Sequence, residues 1–491
     1  MKNVFLKSLF AITCLLGSIN ASAFDFEVDG IYYDVVSLDE LTCKVVSGNE
    51  RYEGDIVIPA TVNYGNRTLT VVEIANDAFK YASGLTGLTI PNTISSISDV
   101  SFYNGLKLEH VTIEDGETAL SVRAMKIKTL YLGRNLLFRT SYSPFDATLK
   151  EVTIGNSVTK IDDDVFRDCS SLTNVTIPNS VTEIGNRAFW GCSDLTSMEI
   201  PNSVTKINDY AFYDCRGLTS VTIPNSVTEI GNSAFQNCSG LTSVAIGNSV
   251  TKIGDGAFSS CSNLKKVIVK DIAAWCGISF NDIFYSNPLV YAHHLYSDEE
   301  TEITDLVIPN SVTKINDYAF SGCRGLTSVT IPNSVTEIGN SAFQNCSGLM
   351  SVTIGNSVTK IDDYVFQGCS SLTNVTIGSS VTTIENNVFE NCDGLTTLYS
   401  LNPTPPSIGE NNFTNKHYVS INVFVPQEAL EAYQNADGWK DFWNLQGFDI
   451  AGIGNVKTEN GKTVYYDLRG NRLNAPKRGV NIIKGKKMIM K

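Results

Sequence analysis

Within residues 56–398 the apolar positions carry a short period nested inside a longer one. Leu218, Val221 and Ile223 alternate with Ser220 and Thr222 over a β-branched run that stops at Pro224 and Asn225. That alternation predicts a strand with one face buried and one face wet. Val227 and Ile230 form a second short apolar pair, which predicts another strand on the far side. Residues 232–238, with Asn232, Ser233, Phe235 and Cys238, read as one helical turn opened by a cap-type residue. After 23 residues the unit starts again.

The repeat lines up residues in columns. Phe166, Phe189, Phe212, Phe235 and Phe258 form one run and Phe320, Phe343, Phe366 and Phe389 a second. Three residues after each stands a cysteine: Cys169, Cys192, Cys215, Cys238 and Cys261, then Cys323, Cys346, Cys369 and Cys392. Self-similarity at such a period means stacked units, each burying its apolar side against its neighbours. The strand phase can be followed from Ile90 through Ile113 and Leu132 to Ile377, ending in a drifted copy at 395–399. The prediction is a repeat solenoid, mainly β with short helical turns, of about fourteen parallel strands. Its regularity fails between Ile113 and Ile154 and again between Val269 and Ile308, where 39 residues replace 23.

The domain boundaries follow. Residues 24–60 read as an N-terminal β cap, 61–398 as the solenoid with an insertion at 270–302, and 399–447 as a closing cap with a short helix at 427–436 opened by Pro426. Residues 448–491 read as a small β module. Residues 309–366 nearly reproduce 201–258. Such a copy suits a structural array better than a catalytic centre, which needs different residues converging once.

Polar columns add detail. Before the second isoleucine stand Lys160, Glu183, Lys206, Glu229, Lys252, then Lys314, Glu337 and Lys360, so neighbouring coils present opposite charges and hold register. After each strand stands an asparagine, as at Asn202, Asn225, Asn248, Asn310, Asn333 and Asn356, expected to turn the chain by side-chain bonds to backbone. In-phase cysteines point the same way, so the expectation is buried free thiols acting as small apolar fillers. Ala82 and Gly105 fill that slot in the early, degenerate repeats.

Charge and termini bound the function. Lys2 and Lys7, an apolar stretch at 9–19 and Ala21-Ser22-Ala23 form a signal peptide over 1–23, with cleavage before Phe24. Losing it takes the net charge from −14 to −16, which argues against nucleic acid or anionic lipid as partner. No other run approaches the length of a membrane span. Asp162-Asp163-Asp164 and Asp362-Asp363 lack the ligand alternation of a calcium loop, and His293-His294, read as adjacent strand residues pointing opposite ways, have no third ligand. No metal, cofactor or catalytic motif is expected, and the chain reads as a non-enzyme.

The pattern Leu-x-x-Val-x-Ile-Pro-x-x-Val-x-x-Ile-x-x-x-Ala-Phe-x-x-Cys resembles the BspA-like leucine-rich repeat family of bacterial surface proteins, over about 56–398. The opening around Phe26 and Tyr33, the insertion with Trp275, Cys276 and His293, and the closing element at Val425-Pro426 and Trp439 resemble that family's usual elements. The resemblance implies a right-handed leucine-rich-repeat coil acting outside the cell, several members being adhesins for matrix proteins such as fibronectin and fibrinogen. The tail from Val464 to Lys487 is similar to C-terminal sorting domains of Bacteroidetes type IX secretion, departing from them at Asn481.

The candidate binding surface is the outward strand face: Asn174, Thr176, Ser197, Glu199, Ser220, Thr222, Ser243, Ser328, Thr330, Ser351, Thr353, Asn374 and Thr376, with Ala245, Lys266, Ile268, Asp305 and Val307 in the same phase. Many weak identical contacts there would add through effective concentration. Trp275 and Tyr296, in the large interruption, are candidates for a unique contact patch. Two functions fit. One is a secreted or surface adhesin for host matrix proteins or epithelial ligands. The other is a surface scaffold or spacer binding another bacterial surface protein or a glycan.

Overall fold

The computed structural model describes residues 24–48, 50–97, 108–122, 125–137, 143–281 and 285–448, and beyond these the backbone of five strands between 454 and 490. The expected signal peptide at 1–23, and Gly105, lie outside the described residues. The chain divides into two compact units, Met1–Thr159 and Lys160–Lys491. Each contains a coil of stacked, mainly parallel strands.

In the first unit the hairpin Phe26–Val28 with Ile31–Ser37 pairs antiparallel to Thr42–Val45, which lies parallel to Arg67–Ile74. From there one ladder of short parallel strands continues through Ser96–Ile97, Leu120–Ser121 and Leu136–Leu137. A second sheet stacks Glu53–Val57, Gly84–Ile90, Leu108–Ile113, Ile127–Leu132 and Glu151–Ile154 in parallel. Leu88, Val111, Leu130 and Val152 fall in one column, so the coil keeps phase through the stretch where the sequence repeat is irregular. Arg134, fully buried there, donates to the carbonyls of Pro91 and Asn92.

In the second unit each repeat has three sides. The main strands run Ser220–Thr222, Ser243–Ile246, Lys266–Val269 and Leu295–Tyr296 in one sheet, and Asp305–Val307, Ser328–Thr330, Ser351–Thr353, Asn374–Ile377 and Thr397–Ser400 in another. Opposite lie two-residue strands from Lys160–Ile161 to Lys252–Ile253 and from Lys314–Ile315 to Ser407–Ile408. Their register puts Glu229 between Lys206 and Lys252, as the charge column predicts. A slip of one residue would turn every isoleucine outward, so burial and charge choose the same register.

The third side corrects the sequence reading. The segment 232–238 is not a helical turn: Ser233 and Asn237 sit in the left-handed region at φ of 52° and 61°. Their amides, with that of Phe235, reach the next coil's carbonyls at Asp255, Ser259 and Ala257, each at 2.8 Å. Small polar residues that favour helix caps are also those that tolerate the left-handed conformation, so both structures draw on one residue set. Inside this turn the phenylalanines stack at 5.1–5.4 Å from Phe166 to Phe258 and at 5.2–5.9 Å from Phe320 to Phe389, near-parallel throughout.

Side chains extend the ladder between coils. Thr251 donates to the carbonyl of Thr228, and Thr228 to that of Thr205. The asparagines bond across coils and not within their own turn: Asn225 accepts from the amide of Asn248, and Asn333 from that of Asn356. Cys192, Cys215 and Cys238 each donate S–H to a phenylalanine carbonyl one coil back at 3.1 Å. The described cysteines are all free and buried. A thiol suits that slot because it fills a small volume and gives a second donor to a carbonyl that already accepts the amide of its own coil's cysteine.

Past Tyr399, where the sequence repeat has ended, the parallel ladder runs on through Asn422–Pro426 and Asn444–Phe448. Alternation at Val423 and Val425 keeps it going, with Trp439 buried alongside and its indole donating to the Pro406 carbonyl. The helical segment there is Gln427–Ala429 in a 3-10 turn followed by Leu430–Asn435. The last five strands order as Arg472–Leu473, Lys462–Asp467, Gly454–Glu459, Gly479–Ile483 and Lys486–Met490.

Candidate functional site

The outward strand face exists where expected and is not uniform. Asn174, Thr176, Ser197, Glu199, Ser220, Thr222 and Asn374 are exposed, while Ser243, Ala245, Ser328, Thr330, Ser351, Thr353 and Thr376 are half-buried by their neighbours. Ile268, placed on this face by phase, is only 3% exposed. What covers it is the insertion.

The insertion forms a modified coil. After Lys266–Val269, helix α1 (Ile272–Cys276) starts at Asp271, whose carboxylate caps the amides of Ala273 and Ala274. Ser279–Phe280 then takes the place of a far-side strand beside Lys252–Ile253. Helix α2 (Leu289–Ala292) ends at His293, which is left-handed at φ 62° and not a strand residue. Its ring faces the Gly322 carbonyl, and burial lowers its pKa. Leu295–Tyr296 next pairs with Val267 and Ile268, and the chain reverses through 297–301. Ser297 donates to the Thr301 carbonyl, and the Ile303 amide to that of Leu295. The product is a hairpin seated on the strand face.

Trp275 is not a contact patch. It is 1% exposed and donates its indole N–H at 2.7 Å to the Ala319 carbonyl, which Asn287 also reaches at 3.2 Å. In a regular coil that carbonyl accepts a phenylalanine amide, as Ala211 does from Phe189. The insertion therefore closes the ladder with side chains. Tyr296 lies under the Lys266 ammonium, 4.9 Å from its ring.

The hairpin tip is hydrogen-bonded within itself and acidic. Asp298 accepts from the amides of Glu300 and Thr301 at 2.9 and 2.8 Å, bonds that lower its pKa. Lys266 donates to the Glu299 carbonyl, and His294 pairs with Glu302 at 2.6 Å. Between this tip and the strand face lies a groove of about 750 Å³. Ser197, Glu199, Ser220, Thr222, Ala245 and Ile268 line its floor, and Asn202, Pro224, Asn225, Gly247 and Asn248 its ledge. Lys270, Asp298 and Glu299 complete the rim. At one end of the floor the stretch 197–200 keeps its buried phase through Met198 and Ile200 without being a strand. Met198, unbranched and a weaker strand former, stands where other coils place valine.

Of the predicted face residues the groove gathers Ser197, Glu199, Ser220 and Thr222. Ser243 lies on the same ladder, beside Ser220. Ser328, Thr330, Ser351, Thr353, Asn374 and Thr376 belong to the other sheet. Sequence reading missed Lys270, Asp298 and Glu299, whose only signal was their place in an interruption of the repeat. It also missed the cluster in which Arg167 and Arg187 lie over Trp190 at 5.2 and 5.9 Å while both pair with Asp164. Burial pushes the ladder thiols up, Cys261 to about 12, which disfavours the thiolate form at these positions. Among the described residues no group of three or more metal-binding side chains converges, and no helix is long and apolar enough to cross a membrane.

The profile of the BspA type leucine-rich repeat region matches this chain in six copies, over residues 66–173, 140–265 and 294–420. The chain belongs to this family. No curated protein matches this BspA-type chain. Solved structures similar to it include a leucine-rich repeat protein from Bacteroides ovatus, at 24% identity over 87% of this chain and 100% of that one, TM-score 0.45. Another is a leucine-rich cell surface protein from Faecalibacterium prausnitzii, at 24% identity over 86% and 94%, TM-score 0.33.

Proposed function

We propose that this BspA-type protein is exported through its 1–23 leader, acts non-enzymatically at the outer cell surface, and adheres to host extracellular proteins such as fibronectin or fibrinogen through its strand face. The observation that carries the reading is the groove at the hairpin, which gives an otherwise repetitive face one place unlike the rest. An interaction needs such a place, because identical shallow contacts confer little discrimination between partners. The 454–490 strands belong to the tail similar to sorting domains, which fits display outside the cell.

Surface plasmon resonance with the mature chain against fibronectin, fibrinogen and an epithelial glycan panel tests it. Saturable binding to at least one, weakened by Ser220→Lys and Thr222→Lys, is the expected result. Silence across all of them removes the adhesin reading. A stoichiometric bacterial partner recovered from outer-membrane extract would instead favour a scaffold.

A further inference from the structure

The groove's chemistry selects among ligands, on the reading that the strand face is the working surface. We propose that it binds an extended peptide segment carrying lysine or arginine.

Three observations lead there. Glu199, Asp298 and Glu299 present carboxylates to the groove, Lys270 is the one cation among the lining residues, and Lys266 stands beside Glu299 at the rim. Glu199 is exposed and has no hydrogen bond or ion pair among the described residues, and Glu299 is 75% exposed with only a 3.8 Å approach to Lys266. Glu199 is a charge without a partner and Glu299 is only loosely paired, a condition that favours a cationic ligand in a partly enclosed site. The lining contains no aromatic ring, so neither a sugar ring nor a proline-rich helix finds a stacking surface.

Size agrees with a peptide. Glu199, Thr222, Ala245 and Ile268 occupy one phase of four successive coils, three spacings of about 4.8 Å, or roughly 14 Å. An extended chain covers that distance in about four residues. Hydroxyls of Ser220 and Thr222 and amides of Asn225 and Asn248 offer hydrogen bonds to main chain without choosing a side chain. Discrimination then rests on the carboxylates at the two ends, Glu199 on the floor and Asp298 with Glu299 on the rim.

The test uses the mature full chain and fluorescence anisotropy of labelled five-residue peptides: one with a lysine and an arginine, and the same peptide with both replaced by glutamate. The basic peptide is expected to bind and to weaken as salt is raised, while the acidic one does not bind. Glu199→Gln combined with Glu299→Gln should lower its affinity roughly tenfold, and Glu199→Lys at least as much. Glu337→Gln, on the far-side charge column, should change nothing. These groove side chains are exposed, and circular dichroism melts of each variant check that folding is intact. Equal binding of both peptides, no binding of either, or affinity indifferent to the Glu199 variants overturns the proposal. Fibronectin or fibrinogen binding that survives Glu199→Lys overturns the groove assignment and leaves the surface reading standing. Basic-peptide binding with no extracellular protein bound does the reverse.

Discussion

Residues 201–258 and 309–366 differ at only seven positions: Tyr213/Ser321, Asp214/Gly322, Thr242/Met350, Ala245/Thr353, Gly254/Asp362, Gly256/Tyr364 and Ala257/Val365. Ser220, Thr222, Pro224, Asn225, Gly247 and Asn248 of the first copy line the groove, and all six recur unchanged in the second. Only the first copy is followed by the acidic hairpin. Preceding positions differ too: Glu199 in one corresponds to Val307, 58% exposed, in the other. On a solenoid, therefore, a residue's chemistry is set less by its own coil than by what the neighbouring irregular segment brings over it.

The comparison breaks hardest if the two cores prove unequal. Phe235 and Phe343 are both fully buried in stacks of like rings, at 5.1 Å from Phe212 and 5.2 Å from Phe320. Replacing either by alanine removes the same ring from the same cage, so each should cost about 3–5 kcal/mol in urea melts followed by circular dichroism. A difference between them beyond about 1 kcal/mol would show that the hairpin reaches the core, contrary to its position on the face.

The next effect tests how the insertion joins the second copy. Trp275→Phe deletes the indole donor to Ala319 and part of the ring volume packed near Phe280. Because Asn287 still reaches that carbonyl, the loss should fall at the lower part of the usual 1–3 kcal/mol for an orphaned buried acceptor. Hydrogen exchange is the sharper readout: protection should drop at 272–296 and at the first coil of the second copy, and remain at 201–246.

Much of this architecture could be read from periodicity, and the exceptions have physical causes. The strand phase, the phenylalanine and cysteine columns and the alternating charges follow directly from the 23-residue period, since in-phase stacking places like residues side by side. The turn at 232–238 reads as helical from sequence because Asn, Ser and Asp suit helix caps and left-handed residues alike. Parallel pairing past Tyr399 was hidden because the ladder needs only alternation, whereas the repeat consensus had already gone. The groove was half legible. Glu199, Ser220 and Thr222 follow from phase, but Asp298 and Glu299 reach them only through a hairpin whose register no repeat dictates.

A smaller effect separates stability from recognition. Asn225→Ala and Asn333→Ala each remove the acceptor for the next coil's amide, at 2.9 and 2.8 Å. Both amides lie at the surface, where water replaces the lost partner, so each change should cost about 0.5–1.5 kcal/mol and the two should match. Only Asn225→Ala should also weaken binding of a groove ligand. Matched melts with unmatched binding would isolate the hairpin as the source of function; loss of binding in both would move the site onto the repeated face as a whole.

The smallest effect comes from one of the seven differences. Glu229 is flanked by Lys252 at 3.0 Å and Lys206 at 3.4 Å, and its bond to Lys252 lowers its pKa. Its counterpart Glu337 pairs with Lys314 at 2.6 Å. Lys360, which corresponds to Lys252, turns instead to Asp362 at 2.8 Å and Glu385 at 3.0 Å, bonds that raise its pKa. The diverted lysine follows from the aspartate that replaces Gly254 in the second copy. A carboxylate with a depressed folded pKa stabilises above its unfolded value near 4.3 and loses that contribution as pH falls through the folded pKa. Glu229 should therefore titrate below an ordinary glutamate by carbon-detected NMR, and Asp362→Gly should release Lys360 and bring the second copy toward the first. Exposure and screening keep the accompanying change in stability below about 1 kcal/mol, so the titration curve and not the melt is the measurement that decides. If the Lys360 ammonium does not turn to the Glu337 carboxylate in a crystal structure of Asp362→Gly, the charge column is set by each coil alone and neighbours do not compete for its lysines.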